Sequence, residues 1–113
     1  MIERMSHAEY VAAVRKDAAA TAAGIVEGTV NVVEGARTLA ALRHEAEVDE
    51  GDEDFLVFVA IASETDALPF GEVRKHWSVE ALARLEPELR SAVAWAMPIA
   101  APACHSIMRR FGA

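Results

Sequence analysis

The sequence predicts an all-α protein: a single-domain bundle of four to six helices, with a central buried helix and a proline-kinked last helix. Three observations carry this. Alanine supplies 24 of the 113 residues, and alanine is the best helix former because it loses no side-chain entropy. Residues suited to helix N-caps stand directly before apolar stretches at several places. The apolar residues then recur at steps of three and four, the period of a helix. Residues 1–113 have the length of one domain with one hydrophobic core.

Ser6-His7-Ala8-Glu9 has the form of a capping box. Tyr10, Val14, Ala18, Thr21 and Ile25 continue from it as a helical stripe, which is expected to fade near Gly28. Asn31 to Glu34 repeats the capping logic and opens a second helix. Its stripe is Val32, Val33, Ala36, Leu39, Ala40 and the stem of Arg43. Val26-Glu27-Gly28 returns seven residues later as Val33-Glu34-Gly35, an echo that would let helices approach at the glycines. One long helix weakly broken near Gly28 fits this pattern as well as two helices do.

Val48 to Asp54 reads as a loop by charge density and glycine, with Asp54 expected to cap the next helix. The unbroken apolar run Phe55–Ala62 suits a buried strand or a buried helix. No partner strand is in view, so Phe55–Thr65 is assigned as a central buried helix. Pro69 pushes Leu68 out of helical geometry and suits the first turn of a short helix through His76. Ser78 is placed to cap Val79–Leu85, and Glu86-Pro87-Glu88 to restart the chain. Leu89, Val93, Ala96, Ala100, Ala103 and Ile107 form the stripe of the last helix. Pro98 and Pro102 sit inside it, each removing a backbone hydrogen bond at a cost of ~3 kcal/mol in a regular helix interior. A kink is expected, or a break with a short helix over Ala103–Phe111.

The formal net charge of −7 is concentrated rather than spread. Residues 1–44 hold five acids and five bases, and residues 55–113 hold six of each. Glu45–Asp54 holds seven acids and no base. A nucleic-acid binder would need a basic stripe instead. The loop is therefore read as an acidic patch facing water, a cation or a basic partner. The lone Cys104 excludes an internal disulfide framework and is read as an inert core thiol. The N-terminus MIERMSHAEY lacks an apolar signal region, and no run of about 20 apolar residues could span a membrane. The expectation is a cytoplasmic chain. A core so rich in alanine also leaves homodimerisation open.

Two groups of side chains are candidates for function. Glu47, Asp49, Glu50, Asp52, Glu53 and Asp54, with Trp77, would meet a protein partner through charge and an aromatic anchor. Ser63, Glu64, Asp66, Arg74 and His76 would instead form a pocket around the Pro69 turn, since acid–base chemistry needs carboxylates and an imidazole in one cleft. The plainer alternative pairs Glu64 with a buried Arg37, Arg43 or Arg74 and has Asp66 capping the turn. No phosphate loop, nucleophile elbow or zinc pair accompanies them. Neither metal nor cofactor is expected. His44 and the acids that follow lack calcium-loop spacing, and Cys104-His105 would splay apart on a helix. Phe70, Trp77 and Trp95 are expected to be partly exposed.

The residues Glu34-Gly35-Ala36-Arg37-x-Leu39, then Phe58 through Gly71 with its core SETDxLPxG, then Arg74-x-x-Trp77, resemble a small family of short uncharacterised bacterial proteins, a domain of unknown function. The resemblance covers about residues 25–110. It implies no reaction, so it transfers no catalytic residue, and Pro98 and Pro102 depart from its pattern. In size and charge, though not in motif, the chain is also similar to immunity proteins that neutralise toxins in bacterial competition. The function expected is a non-enzymatic small acidic protein that binds a protein partner. The alternatives are a small enzyme or ligand binder at Glu64/Asp66/Arg74/His76, and a self-associating structural module.

Overall fold

The local signals at the first two helices resolve into separate elements in the computed structural model, which describes residues 5–112. Helix α1 (His7–Glu27) starts at a reciprocal capping box: Ser6 Oγ accepts the Glu9 N–H, and the Glu9 carboxylate accepts the Ser6 N–H. It stops at Gly28, whose φ of 83° is a left-handed conformation that glycine adopts without a Cβ penalty. Helix α2 (Val32–Leu42) begins where Asn31 Oδ1 accepts the Val33 and Glu34 N–H groups.

The two echoed glycines serve different ends. Gly28 is the turn, with open space around it. Gly35 is a contact point: a Cβ there would fall 2.5 Å from Ile25 Cδ1 and 3.1 Å from Val30 Cγ1. Its bare backbone lets α2 lie against the end of α1.

The apolar run is helical. Helix α3 (Glu53–Glu64) buries Phe55, Phe58 and Ile61 on one face. Its cap is Asp52 rather than Asp54. Asp52 Oδ1 accepts the N–H groups of Asp54 and Phe55, so the helix begins earlier than expected and Asp54 lies in its first turn. A 3-10 helix (Gly71–His76) follows the Pro69 turn.

Helix α4 (Val79–Phe111), capped by Ser78, then runs for 33 residues. The expected restart at Pro87 and the break after Pro102 do not occur. Pro87, Pro98 and Pro102 are all solvent-exposed, as are residues Ala83, Ala94 and Pro98, whose carbonyls lose their partners. Water can satisfy carbonyls on that outer face, where a helix wrapped on a core already lengthens its hydrogen bonds.

Helix α1 packs on α2 and α4, α3 packs on the same two from the other side, and α2 meets α4 across the middle. Phe55, Phe58, Leu39, Ile25, Ile61 and Ile107 are the bulkiest fully buried apolar side chains, and alanines such as Ala18, Ala36, Ala96 and Ala100 let the helices close around them. The described residues contain no strand. The principal extents are 49 × 36 × 25 Å, the long one set by α4.

Candidate functional site

The acidic loop is stitched into the fold from both ends of the chain. Arg110 on α4 forks onto Asp52, with Nη2 donating to Oδ2 at 2.6 Å and Nη1 to Oδ1 at 3.1 Å. Its Nη1 also donates to Asp54 Oδ2 at 2.8 Å, and that oxygen accepts the Ser106 hydroxyl as well. On α1, Arg15 Nε donates to the Ala46 carbonyl at 2.8 Å and its Nη2 to the Glu47 carbonyl at 3.3 Å. Glu47 itself stands at a left-handed φ of 53° and pairs with His7. The guanidinium groups of Arg15 and Arg110 both lie over the Phe111 ring, 5.2 and 4.8 Å from its centroid. The Arg110 hydrogen bond holds the Asp52 carboxyl below its ordinary pKa, against an opposing push from burial, and the Phe55 and Asp54 N–H groups reinforce the lowering.

These contacts divide the predicted partner-binding residues. Asp52 and Asp54 are engaged by Arg110, and Glu47 by His7. The nearby Glu45 carboxylate raises the Tyr10 pKa above its ordinary value. Asp49, Glu50 and Glu53 are exposed and make no ion pair among the described residues. Sequence reasoning missed the clasp formed by Arg15, Ser106, Arg110 and Phe111. Its one sequence signal was the surplus of unpaired acid in the loop, which named no cation.

The second predicted group does not converge. Glu64 lines a cleft between α3 and α4, Asp66 a small one beside Trp77, and Arg74 two others toward the start of α4. Ser63 and His76 are exposed. Glu64 is exposed too, so the expected pairing with a buried arginine is absent. Arg37 instead donates through Nη2 to the carbonyls of Thr65 (2.7 Å) and Leu68 (3.1 Å), its guanidinium 5.7 Å from the Phe70 ring centroid. Asp66 is exposed and caps nothing among the described residues. The buried polar residue of the motif is Thr65, 2% exposed, whose hydroxyl donates to the Ile61 carbonyl at 2.7 Å. Arg37 and Thr65 thus hold the turn while the carboxylates face outward.

The α3/α4 cleft has a volume of about 470 Å³. Leu68, Pro87 and Ala92 give it apolar lining, Trp95 a wall, and Glu64, Thr65, Glu88 and Ser91 its polar groups. Trp95 is 43% exposed and Trp77 37%, whereas Phe70, expected to be partly exposed, is buried under Arg37. Cys104 is buried and its thiol is pushed up to about 11 by desolvation, too high for a nucleophilic thiolate at neutral pH. Among the described residues no three His, Cys, Asp or Glu side chains gather to hold a metal. No helix there is long and apolar enough to cross a membrane. No protein-family model, no curated protein and no solved structure matches the chain.

Proposed function

We propose that the chain is a non-enzymatic protein-binding protein whose acidic loop, Glu45–Asp54, meets a basic surface on a protein partner. Its most concrete form is an immunity protein that covers a bacterial toxin, the class it resembles in size and charge. One observation carries the reading. The entire net charge falls in ten residues, and Asp49, Glu50 and Glu53 of that segment face solvent with no cation paired to them among the described residues. Such a patch attracts a basic surface at long range and speeds association. Asp52 and Asp54 contribute differently, by fixing the loop so that the free acids are displayed on a rigid support.

The test is capture of the partner from the source cells by the purified protein, compared with the variant D49K/E50K/E53K at low and high salt. Binding should weaken with salt and fail with the variant. A partner held equally well under both changes would sink the proposal.

A second reading, self-association, is favoured by the start of α4. Residues 79–88 include Val79, Leu82 and Leu85 yet bury none of them fully, and Val79 is 79% exposed. The radius of gyration, 15.5 Å, exceeds the ~13 Å expected for a domain of this length, as an overhanging helix end would cause. Light scattering over a range of concentrations decides it, and a mass fixed at one chain throughout would end this reading.

A further inference from the structure

The cleft between the end of α3 and the first half of α4 has a composition that the acidic loop does not explain. Its wall is an exposed indole, Trp95, and two carboxylates, Glu64 and Glu88, border the same space. Neither carboxylate makes an ion pair among the described residues, and no base lines the cleft. Arg84, one turn before Glu88 on α4, makes no ion pair with it. The volume of about 470 Å³ lies within the range of ligand-binding clefts.

We infer that this cleft seats an arginine side chain of a partner polypeptide, with its guanidinium stacked on Trp95 and hydrogen-bonded to Glu64 and Glu88. A guanidinium is planar, weakly hydrated and carries five donors, so it can lie on an indole face and reach carboxylates at its edge together. The stem would rest on Leu68, Pro87 and Ala92. A lysine ammonium offers neither the plane nor the fork.

The rest of the seam argues for a polypeptide rather than a free small cation. Asp54 meets Ser106 and Arg110 at one end, and Glu64 shares the cleft with Trp95 at the other, so α3 and α4 run antiparallel. That register places exposed Leu56 on α3 and exposed Ile99 on α4 between the two ends. The free acid Glu53 begins the seam and Glu64 ends it, about 16.5 Å apart along α3. The order acid, apolar, acid fits a segment that is basic, apolar and basic. The inference rests on the proposed basic partner but assigns a separate surface and a residue type.

The test uses the full chain carrying Trp77→Phe, so that Trp95 is the sole indole. The probe is the acetylated, amidated hexapeptide Arg-Leu-Ala-Ala-Leu-Arg, with its citrulline counterpart as control. The arginine peptide should shift Trp95 emission saturably, E64Q/E88Q should weaken this about tenfold or more, and the citrulline peptide should not reproduce it. Both carboxylates are exposed, so the double variant keeps the fold, which circular dichroism verifies. No Trp95 response, or an equal response to the citrulline peptide or in E64Q/E88Q, overturns the inference. In D49K/E50K/E53K, a retained Trp95 response shows that the cleft binds by itself. Binding lost there but intact in E64Q/E88Q overturns the cleft and leaves the loop reading standing.

Discussion

Asp52 performs two tasks that different substitutions separate. Its Oδ1 accepts two N–H groups at the start of α3, and both oxygens take the fork of Arg110. Asp52→Ala removes both, and a cap alone is worth about 1 kcal/mol. The partly exposed pair adds about as much, so a loss of about 2 kcal/mol is expected in urea denaturation at neutral pH. Asp52→Asn keeps an acceptor at the cap and should lose about half of that. The pH dependence carries a definite sign. Because the folded carboxyl titrates below its ordinary value, its stabilisation is present above the carboxylate range and disappears as pH falls through it. Both variants should therefore lose less stability than the wild type on acidification from neutral pH. An unchanged acid slope in Asp52→Asn would mean that the Asp52 ionisation is not linked to folding.

At the scale of elements, α4 separates what a sequence displays from what it hides. Caps and periodic stripes are local, so Ser6, Asn31 and Ser78 could be read as helix starts and Gly28 as a stop. Proline tolerance is not local. It depends on which way the freed carbonyl faces, and for Pro87, Pro98 and Pro102 that is solvent. The position of the α3 cap was hidden for a related reason. Asp52 and Asp54 are equally good caps by residue type, and only Arg110 and Ser106, more than fifty residues away, show that Asp54 is drawn toward α4. The carboxylates of the SETD segment misled in the same way, because Arg37 found backbone carbonyls rather than Glu64. A prediction follows for the helix. Pro98→Ala restores an N–H donor in the middle of α4. It also frees the unfolded chain, at a cost of ~0.4–1 kcal/mol. The regained hydrogen bond and helix propensity outweigh that, since an interior proline costs ~3 kcal/mol against alanine. Pro98→Ala and Pro102→Ala should each raise the melting temperature, measured by circular dichroism. A fall would show that the proline ring makes packing contacts that α4 needs.

For the whole molecule, the acidic loop is both the fastener between the chain ends and the seat of the net charge. These roles belong to different residues, which makes a prediction about salt possible. Asp52 and Asp54 are drawn to Arg110, so neutralising them in D52N/D54N should destabilise the protein at every ionic strength. The residual salt dependence would reflect only the partial exposure of the pair. Asp49, Glu50 and Glu53 have no such partner among the described residues, and like charges so close in sequence repel one another, which opposes folding. Their repulsion reaches ~30 Å at about 0.01 M salt but only ~3 Å at about 1 M. The variant D49N/E50Q/E53Q should therefore melt at or above the wild-type temperature in dilute buffer, with the difference closing as salt is added. A surface change of this kind is worth about 0.5 kcal/mol or less. Melting curves of the two variants beside the wild type, at low and high salt, decide the matter. If D49N/E50Q/E53Q melted below the wild type in dilute buffer, those acids would be part of the fastener and could not be reserved for a partner. If it melts as expected, any failure of the same variant to bind is a loss of surface charge from an intact fold. The bundle would then carry at its acidic end a charge that costs it stability and that no cation among the described residues neutralises.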